Sequence, residues 1–194
     1  MTKKIFMIAG PNGAGKTTTA MSFISSIELI DEFINADEIA RGLAPLHPES
    51  MALAASKLLL KRFKELIATN KTFAFETTGS GTNYVKHLKE AQAIGYKVHV
   101  MFLWLYSPDL AVQRVAHRVE QGGHHIPEEI IRKRYDLGLK NLIKHYLPLC
   151  DSVLILDNSI AERNKVIARK RINHDLKIEE PNIWKEILEV ANAK

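Results

Sequence analysis

Ile5-Phe6-Met7-Ile8-Ala9 is a continuous apolar run, and it passes directly into Gly10-Pro11-Asn12-Gly13-Ala14-Gly15-Lys16-Thr17. A short apolar run of this kind is the pattern of a strand buried on both faces. The residues after it match G-x-x-x-x-G-K-[ST] in full, and Thr17 to Ile27 then reads as a helix. Strand, glycine-rich turn and helix in that order have a physical use. The glycines let the backbone curl so that its N–H groups face phosphate oxygens. The helix opening at Lys16 adds its N-terminal partial positive charge. Lys16 is placed to reach the outer phosphates, and the Thr17 hydroxyl to bind Mg²⁺. Thr18 stands near the inner phosphate and supports the first helical turn. The expected nucleotide-binding residues are therefore Gly10, Pro11, Asn12, Gly13, Ala14, Gly15, Lys16, Thr17 and Thr18. The expected ligand is a nucleoside triphosphate with Mg²⁺. A guanine-reading N-K-x-D segment does not occur in the chain, which favours ATP and leaves GTP open.

Working outward, short apolar runs alternate with helical periodicity. Phe33–Asp37, Thr72–Phe75, Lys97–Leu105 and Ser152–Leu156 read as further strands. His47–Asn70, Tyr84–Ile94, Pro108–Gln121, Pro127 to about Leu147 and Asn182–Ala193 read as helices, with Pro48 well placed near a start and Gly95 at an end. Val166–Ile178 has room for a hairpin, but its pattern is poor. This alternation predicts an α/β fold with right-handed crossovers: a parallel five-stranded sheet with helices on both faces. No internal repeat, linker or domain boundary is visible, so residues 1–194 are read as a single domain.

The composition agrees. Hydrophobic residues make up 46% and charged residues 25% of 194, which excludes disorder and fibrous classes. A net charge of +5 suits an anionic ligand, but it is too small and scattered to demand nucleic acid. No apolar run is long enough to span a membrane, and the N-terminus lacks a signal-peptide layout. Cys150 stands alone, so neither an internal disulfide nor a cysteine metal site is available. These features predict a cytoplasmic, reducing setting.

In open parallel sheets the ligand lies beyond the carboxyl ends of the strands. Asp37 and Glu76 both fall there, in the crevice expected to hold Lys16. Phosphoryl transfer to a hydroxyl needs a carboxylate that orients the acceptor and takes its proton. Asp37 is the candidate base and Glu76 the candidate acceptor-binding carboxylate. The alternatives are that Asp37 caps the next helix and that Glu76 forms a structural ion pair. Thr77 and Thr78 add hydroxyls beside Glu76 for a polar acceptor.

Arg114 and Arg118 share one face of a helix, opposite the stripe of Val112, Val115, Ala116 and Val119. After Gly122-Gly123 the next helix carries Arg132, Lys133 and Arg134. Helix, glycine pair, helix is the layout of a lid, here about residues 114–134, whose arginines stabilise charge on the transferring phosphoryl. Arg132 and Arg134 lie roughly 200° apart around a helix, so one site does not easily take both. His117, His124 and His125 are read as polar hinge residues rather than metal ligands.

Taken together, Gly10–Thr17, Asn35-Ala36-Asp37, Phe75-Glu76-Thr77-Thr78, Gly122-Gly123-His124-His125-Ile126-Pro127 and Ile131–Tyr135 make residues 4 to 160 resemble the zeta toxin family. These are phosphate-loop kinases with a shikimate-kinase-like core. The resemblance implies ATP-dependent phosphorylation of a UDP-linked amino sugar, such as UDP-N-acetylglucosamine, at its 3′-hydroxyl. In toxin members this starves cell-wall synthesis, and an antitoxin protein is the partner it implies. The family's base falls on Asp37, its sugar-contacting glutamate on Glu76, and its catalytic arginines on Arg118 and Arg134. Two other functions are weighed. A polynucleotide 5′-hydroxyl kinase would use the basic segment Arg163, Lys165, Arg169, Lys170 and Arg171, which lacks interleaved aromatics. A non-enzymatic nucleotide switch needs no acceptor base, which makes Asp37 superfluous.

Overall fold

The structure, a computed structural model, describes residues 2–25, 30–160 and 165–193. β1 (Lys4–Ala9) is the hub, as its apolar run predicts: Ile5, Met7, Ile8 and Ala9 are all buried. The phosphate loop and α1 (Lys16–Ser25) follow, then β2 (Glu32–Ile34) and α2 (Ala36–Leu43). A 3₁₀ turn at Pro48–Met51 leads into α3 (Ala52–Ala68), and β3 (Phe73–Thr77) and α4 (Asn83–Ala93) come next. β4 (Lys97–Trp104), α5 (Pro108–Glu120) and α6 (Glu128–Asn141) complete the middle of the chain. A π turn at Leu142–Tyr146 and the short α7 (Leu147–Leu149) precede β5 (Ser152–Asp157). β6 (Lys165–Lys170), β7 (Lys177–Ile178) and α8 (Pro181–Asn192) close the fold.

Among the described residues the sheet order is β2-β3-β1-β4-β5-β6-β7. β2, β3, β1, β4 and β5 run parallel, the expected five-stranded block. β6 pairs antiparallel with β5, and β7 with β6, so the complete sheet is mixed. This antiparallel extension is the hairpin that the Val166–Ile178 pattern barely disclosed. Its strands lie at the edge, and only Ile167 and Ala168 of β6 are buried, so no alternating stripe is written into the sequence.

α3 buries the face its periodicity predicts, whereas α5 buries Ala111 and Val115 and leaves Ala116 of the expected stripe exposed. α3 turns Ala55, Leu59, Phe63 and Leu66 inward, and the Phe63 ring meets Phe73 and Phe75 edge-on at 5.1 and 5.2 Å. Burying one such side chain stabilises the fold by about 1.5–3 kcal/mol. α5 starts where Ser107 accepts a hydrogen bond from the Leu110 N–H and Pro108 fills the first turn.

One boundary shifts from the sequence reading in a way that matters. The second strand ends at Ile34, so Ala36 and Asp37 belong to α2 rather than to the strand. Asn35 is the helix cap: its side chain accepts from the Asp37 N–H. Asp37 therefore stands in the first helical turn and is not itself the cap.

After β1 the chain goes to one side of the sheet for β2 and β3, then to the other for β4 and β5. The carboxyl ends of β1 and β3 thus flank the crevice where such sheets take ligands. Their register sets Ile8 opposite Glu76 and Ala9 opposite Thr77.

Candidate active site

Gly10 shows why the loop needs glycine. Its φ is 145°, and a Cβ there would lie 2.3 Å from the Leu103 carbonyl oxygen, closer than any side chain tolerates. The bend turns the following amides away from the sheet and lets α1 begin at Lys16. The loop is also held from outside. Asn158 donates to the Ala14 carbonyl at 2.6 Å, and Arg114 donates to the carbonyls of Gly13, Asn158 and Ser159 at 3.4, 2.9 and 2.8 Å. Arg114, expected to travel with a lid, is a clamp tying α5 and the end of β5 to the loop. Asn158 was not singled out in the sequence, because a lone asparagine after a strand carries no local signal.

Lys16 is almost entirely buried. Its ammonium donates to the Pro11 carbonyl at 2.9 Å and lies 3.9 Å from a Glu76 carboxylate oxygen. Glu76 is buried too, accepting from the Thr17 hydroxyl at 2.8 Å and from the Asn35 amide at 2.9 Å. Burial pulls the Lys16 ammonium below its usual range and pushes the Glu76 carboxyl above its own, while their mutual attraction opposes both shifts. Each charge thus offsets part of the cost of burying the other.

Asp37 projects half-exposed from the first turn of α2, with a carboxylate oxygen 3.9 Å from His124 Nε2. Burial lowers the His124 pKa despite Asp37 and ahead of Arg118, so its imidazole is neutral at neutral pH. Arg118 donates to the His124 carbonyl at 3.3 Å, and its buried Nε has no protein partner among the described residues. A buried guanidinium nitrogen without an acceptor is costly, and an incoming anion removes the cost. Arg134 reaches the site, with Nη1 donating to Asn12 Oδ1 at 3.5 Å. Arg132 turns outward to Asp109 and Glu128, at 2.6 and 2.8 Å.

The two cavities meet at these side chains. One, of about 320 Å³, runs along the phosphate loop and is lined by Lys16, Thr17, Thr18, Arg114 and Arg118. The other, of about 520 Å³, opens beside it and is lined by Thr77, Thr78, Ser80, Asn83, Tyr84 and Glu49 among others. Asn12, Lys16, Asp37, Glu76 and His124 border both. Thr77 accepts from the Gly79 N–H and Thr78 lies 2.8 Å from Ser80, which shapes the rim of the second cavity.

The segment expected to act as a lid is only partly free. α6 packs its Ile131, Tyr135 and Leu139 into the core. Asn141 donates to the Gly79 carbonyl, and Tyr135 donates to the Leu105 carbonyl. The glycine-containing connection between Glu120 and Glu128 is what remains outside regular structure, and Ile126 anchors it.

A Thr17 hydroxyl beside a buried carboxylate is a hard-oxygen donor set that fits Mg²⁺ beside phosphates. Among the described residues no group of three or more His, Cys, Asp or Glu side chains is arranged to hold a metal by itself. No helix among them is long and apolar enough to cross a membrane.

An uncharacterized protein of Haemophilus influenzae is 28% identical over 135 residues, which cover 70% of this chain and 94% of that one. Solved structures share the fold at low identity. The structure described for the PezAT chromosomal toxin–antitoxin system of Streptococcus pneumoniae superposes with a TM-score of 0.68 at 16% identity, covering 98% of this chain and 84% of that one. An AvrRxo1-ORF1:-ORF2 structure with ATP superposes with a TM-score of 0.71 at 14% identity, covering 99% of this chain and 65% of that one. These likenesses carry the fold, a phosphate-loop α/β sheet. The AAA domain profile matches residues 5–136, which hold the phosphate loop, Asp37, Glu76 and both candidate arginines, and the chain belongs to the AAA domain family.

Proposed function

We propose that this protein is an ATP-dependent kinase that transfers the γ-phosphoryl group to a hydroxyl of a small acceptor. The observation that carries this reading is the meeting of two cavities at Asp37 and Lys16. A nucleotide switch has use for the first cavity but none for a second one bordered by a carboxylate.

Each residue then has a task. Backbone N–H groups from Gly13 to Thr17 and the Lys16 ammonium hold the triphosphate. Thr17 would ligate Mg²⁺, and Glu76, already bonded to that hydroxyl, would orient the ion's water; the ion supplies charge neutralisation between the phosphates. Asp37 accepts the proton of the acceptor hydroxyl and aims its oxygen at the γ-phosphorus. Arg118 and Arg134 approach from α5 and α6 and stabilise negative charge on the phosphoryl in flight. Glu76 was expected at the acceptor; its bonds to Thr17 and Asn35 support a role on the metal side.

The finer acceptor supplied by the zeta toxin resemblance is a UDP-linked amino sugar, and an antitoxin is the protein partner it supplies. Polynucleotide phosphorylation is the less favoured reading, since most of the basic segment is already paired. Lys165 meets Glu180 at 2.7 Å, and Arg169 and Lys177 both meet Glu179 at 3.0 Å. Lys170 donates to the Cys150 carbonyl, and Arg163 lies outside the described residues. The deciding experiment incubates the protein with ATP and Mg²⁺ and either UDP-N-acetylglucosamine, free sugars and polyols, or a 5′-hydroxyl oligonucleotide. Mass spectrometry reads which one gains a phosphoryl group. Transfer to a small acceptor that disappears in Lys16→Ala supports the reading; ATP binding without transfer to any of them overturns it.

A further inference from the structure

Gly122-Gly123 makes a built turn rather than a loose joint. Gly122 has a φ of 86°, in the left-handed region that favours glycine, and its N–H donates to the Val119 carbonyl at 2.9 Å. The Gly123 N–H donates to the Arg118 carbonyl at 2.9 Å. A Cβ on Gly123 would lie 2.8 Å from that carbonyl oxygen and 2.7 Å from Arg118 Cγ, so only glycine lets the chain fold this closely over the last turn of α5. Past the turn the chain is held again, where Ile126 is buried and Pro127 leads into α6.

His124 is the residue this turn places. Its carbonyl accepts from Arg118 Nη2 at 3.3 Å. Its imidazole is 13% exposed and borders both cavities, with Nε2 3.9 Å from Asp37 Oδ2. The Asp37 carboxylate makes no hydrogen bond among the described residues, and this imidazole is the nearest basic side chain to it there. A separation of 3.9 Å is longer than a hydrogen bond, and contacts around a reacting centre commonly tighten only when the reactants are bound. The charged groups that face the ring are Asp37 and Arg41 of α2, Glu49 of the 3₁₀ turn and Arg118 of α5. Burial, helped by the two arginines, outweighs the two carboxylates and lowers the His124 pKa. A neutral ring N–H restrains a carboxylate without the full positive charge that would draw away its basicity.

We propose that His124 is a positioning residue for phosphoryl transfer: the Gly122-Gly123 turn delivers its Nε2–H to Asp37 and its carbonyl to Arg118, so one short segment sets both the base and an arginine that stabilises the phosphoryl. This rests on the kinase reading and deepens it. The transfer is attack of the acceptor oxygen on the γ-phosphorus as the bond to ADP breaks, with the hydroxyl proton passing to Asp37. His124 takes no proton in it.

The test uses the intact chain with ATP, Mg²⁺ and whichever of UDP-N-acetylglucosamine, glucose and a 5′-hydroxyl oligonucleotide gains a phosphoryl group from the parent. His124→Ala should lower kcat about tenfold and leave KM for ATP within about twofold. His124→Gln sets an amide N–H where Nε2 stands and should restore most of the rate. His124→Asn sets its amide at the position of Nδ1 and should not. In an Asp37→Asn background, His124→Ala should cost nothing further, because the side chain acts through Asp37. Gly123→Ala disturbs both contacts and should lose more than His124→Ala. Parental kcat in His124→Ala or in Gly123→Ala, equal rates for the Gln and Asn variants, a loss confined to KM for ATP, or additive losses with Asp37→Asn each overturn the inference and leave the kinase reading standing. A parent that transfers to none of the three acceptors removes both.

Discussion

The Thr17 hydroxyl donates a 2.8 Å hydrogen bond to Glu76, a residue 59 positions later in the chain. That bond joins the first turn of α1 to the end of β3, and a third side chain, Asn35, donates to the same carboxylate oxygen at 2.9 Å. The register of β1 and β3 makes it possible, because Ile8 lies opposite Glu76 at the level where the phosphate loop begins. The buried carboxylate thus sits under the hydroxyl expected to ligate the metal.

Glu76→Gln separates the metal-side role from the acceptor role. The amide keeps its shape but loses its charge, so turnover should fall and the Mg²⁺ concentration for half-maximal rate should rise, while the acceptor KM stays constant. A change confined to the acceptor KM would return Glu76 to the acceptor side.

Lys16→Ala should reduce phosphoryl transfer by more than about tenfold, because one lost charge contact in a water-excluded phosphate site costs several kcal/mol. The fold should survive. The Lys16 pKa is lowered in the folded chain, so its protonated form is disfavoured there and its charge is not a source of stability. Circular dichroism melts and a coupled ADP assay read the two effects separately.

Asp37→Asn and Asn35→Ala form a contrasting pair. Asn35 supplies the cap of α2, so its loss should cost about 0.5–2 kcal/mol of stability. Asp37 supplies no cap bond, so its amide variant should melt within about 1 kcal/mol of the parent while transfer falls roughly 10²-fold. Normal specific activity in Asp37→Asn would move the base elsewhere.

Arg118→Ala should lower kcat more than it weakens ATP binding, as expected for a group acting on the transition state. Arg132→Ala is the control. Its pairs with Asp109 and Glu128 are exposed and screened by solvent, so the melting temperature and transfer should both be essentially unchanged.

Hydrogen exchange with and without a non-hydrolysable ATP analogue tests closure. Slowing should concentrate between Glu120 and Glu128, because α6 is tied into the core by Ile131, Tyr135 and Leu139. Exchange that is unchanged across residues 118–134 would leave the arginines at fixed positions.

What the sequence by itself determined was local in cause. Ala9 to Thr17 encode the phosphate loop because glycines at 10, 13 and 15, a lysine and a helix start are enough to set its backbone. The alternation of apolar runs and helical stripes likewise encodes the parallel block, since each element's periodicity is written in its own residues. Only the tertiary structure decided what depends on distant partners. The register of β1 and β3 brought Glu76 to Thr17, and Asn35 took the cap and left Asp37 free to face the cavity. The seating of α6 sent Arg134 to Asn12 and Arg132 to solvent, a choice that helical spacing alone leaves open. Arg114 became a clamp because three backbone carbonyls from two separate loops converge on it. A side chain's chemistry is given by its type, but its partner is set by sheet order and helix rotation, which depend on packing across the whole chain.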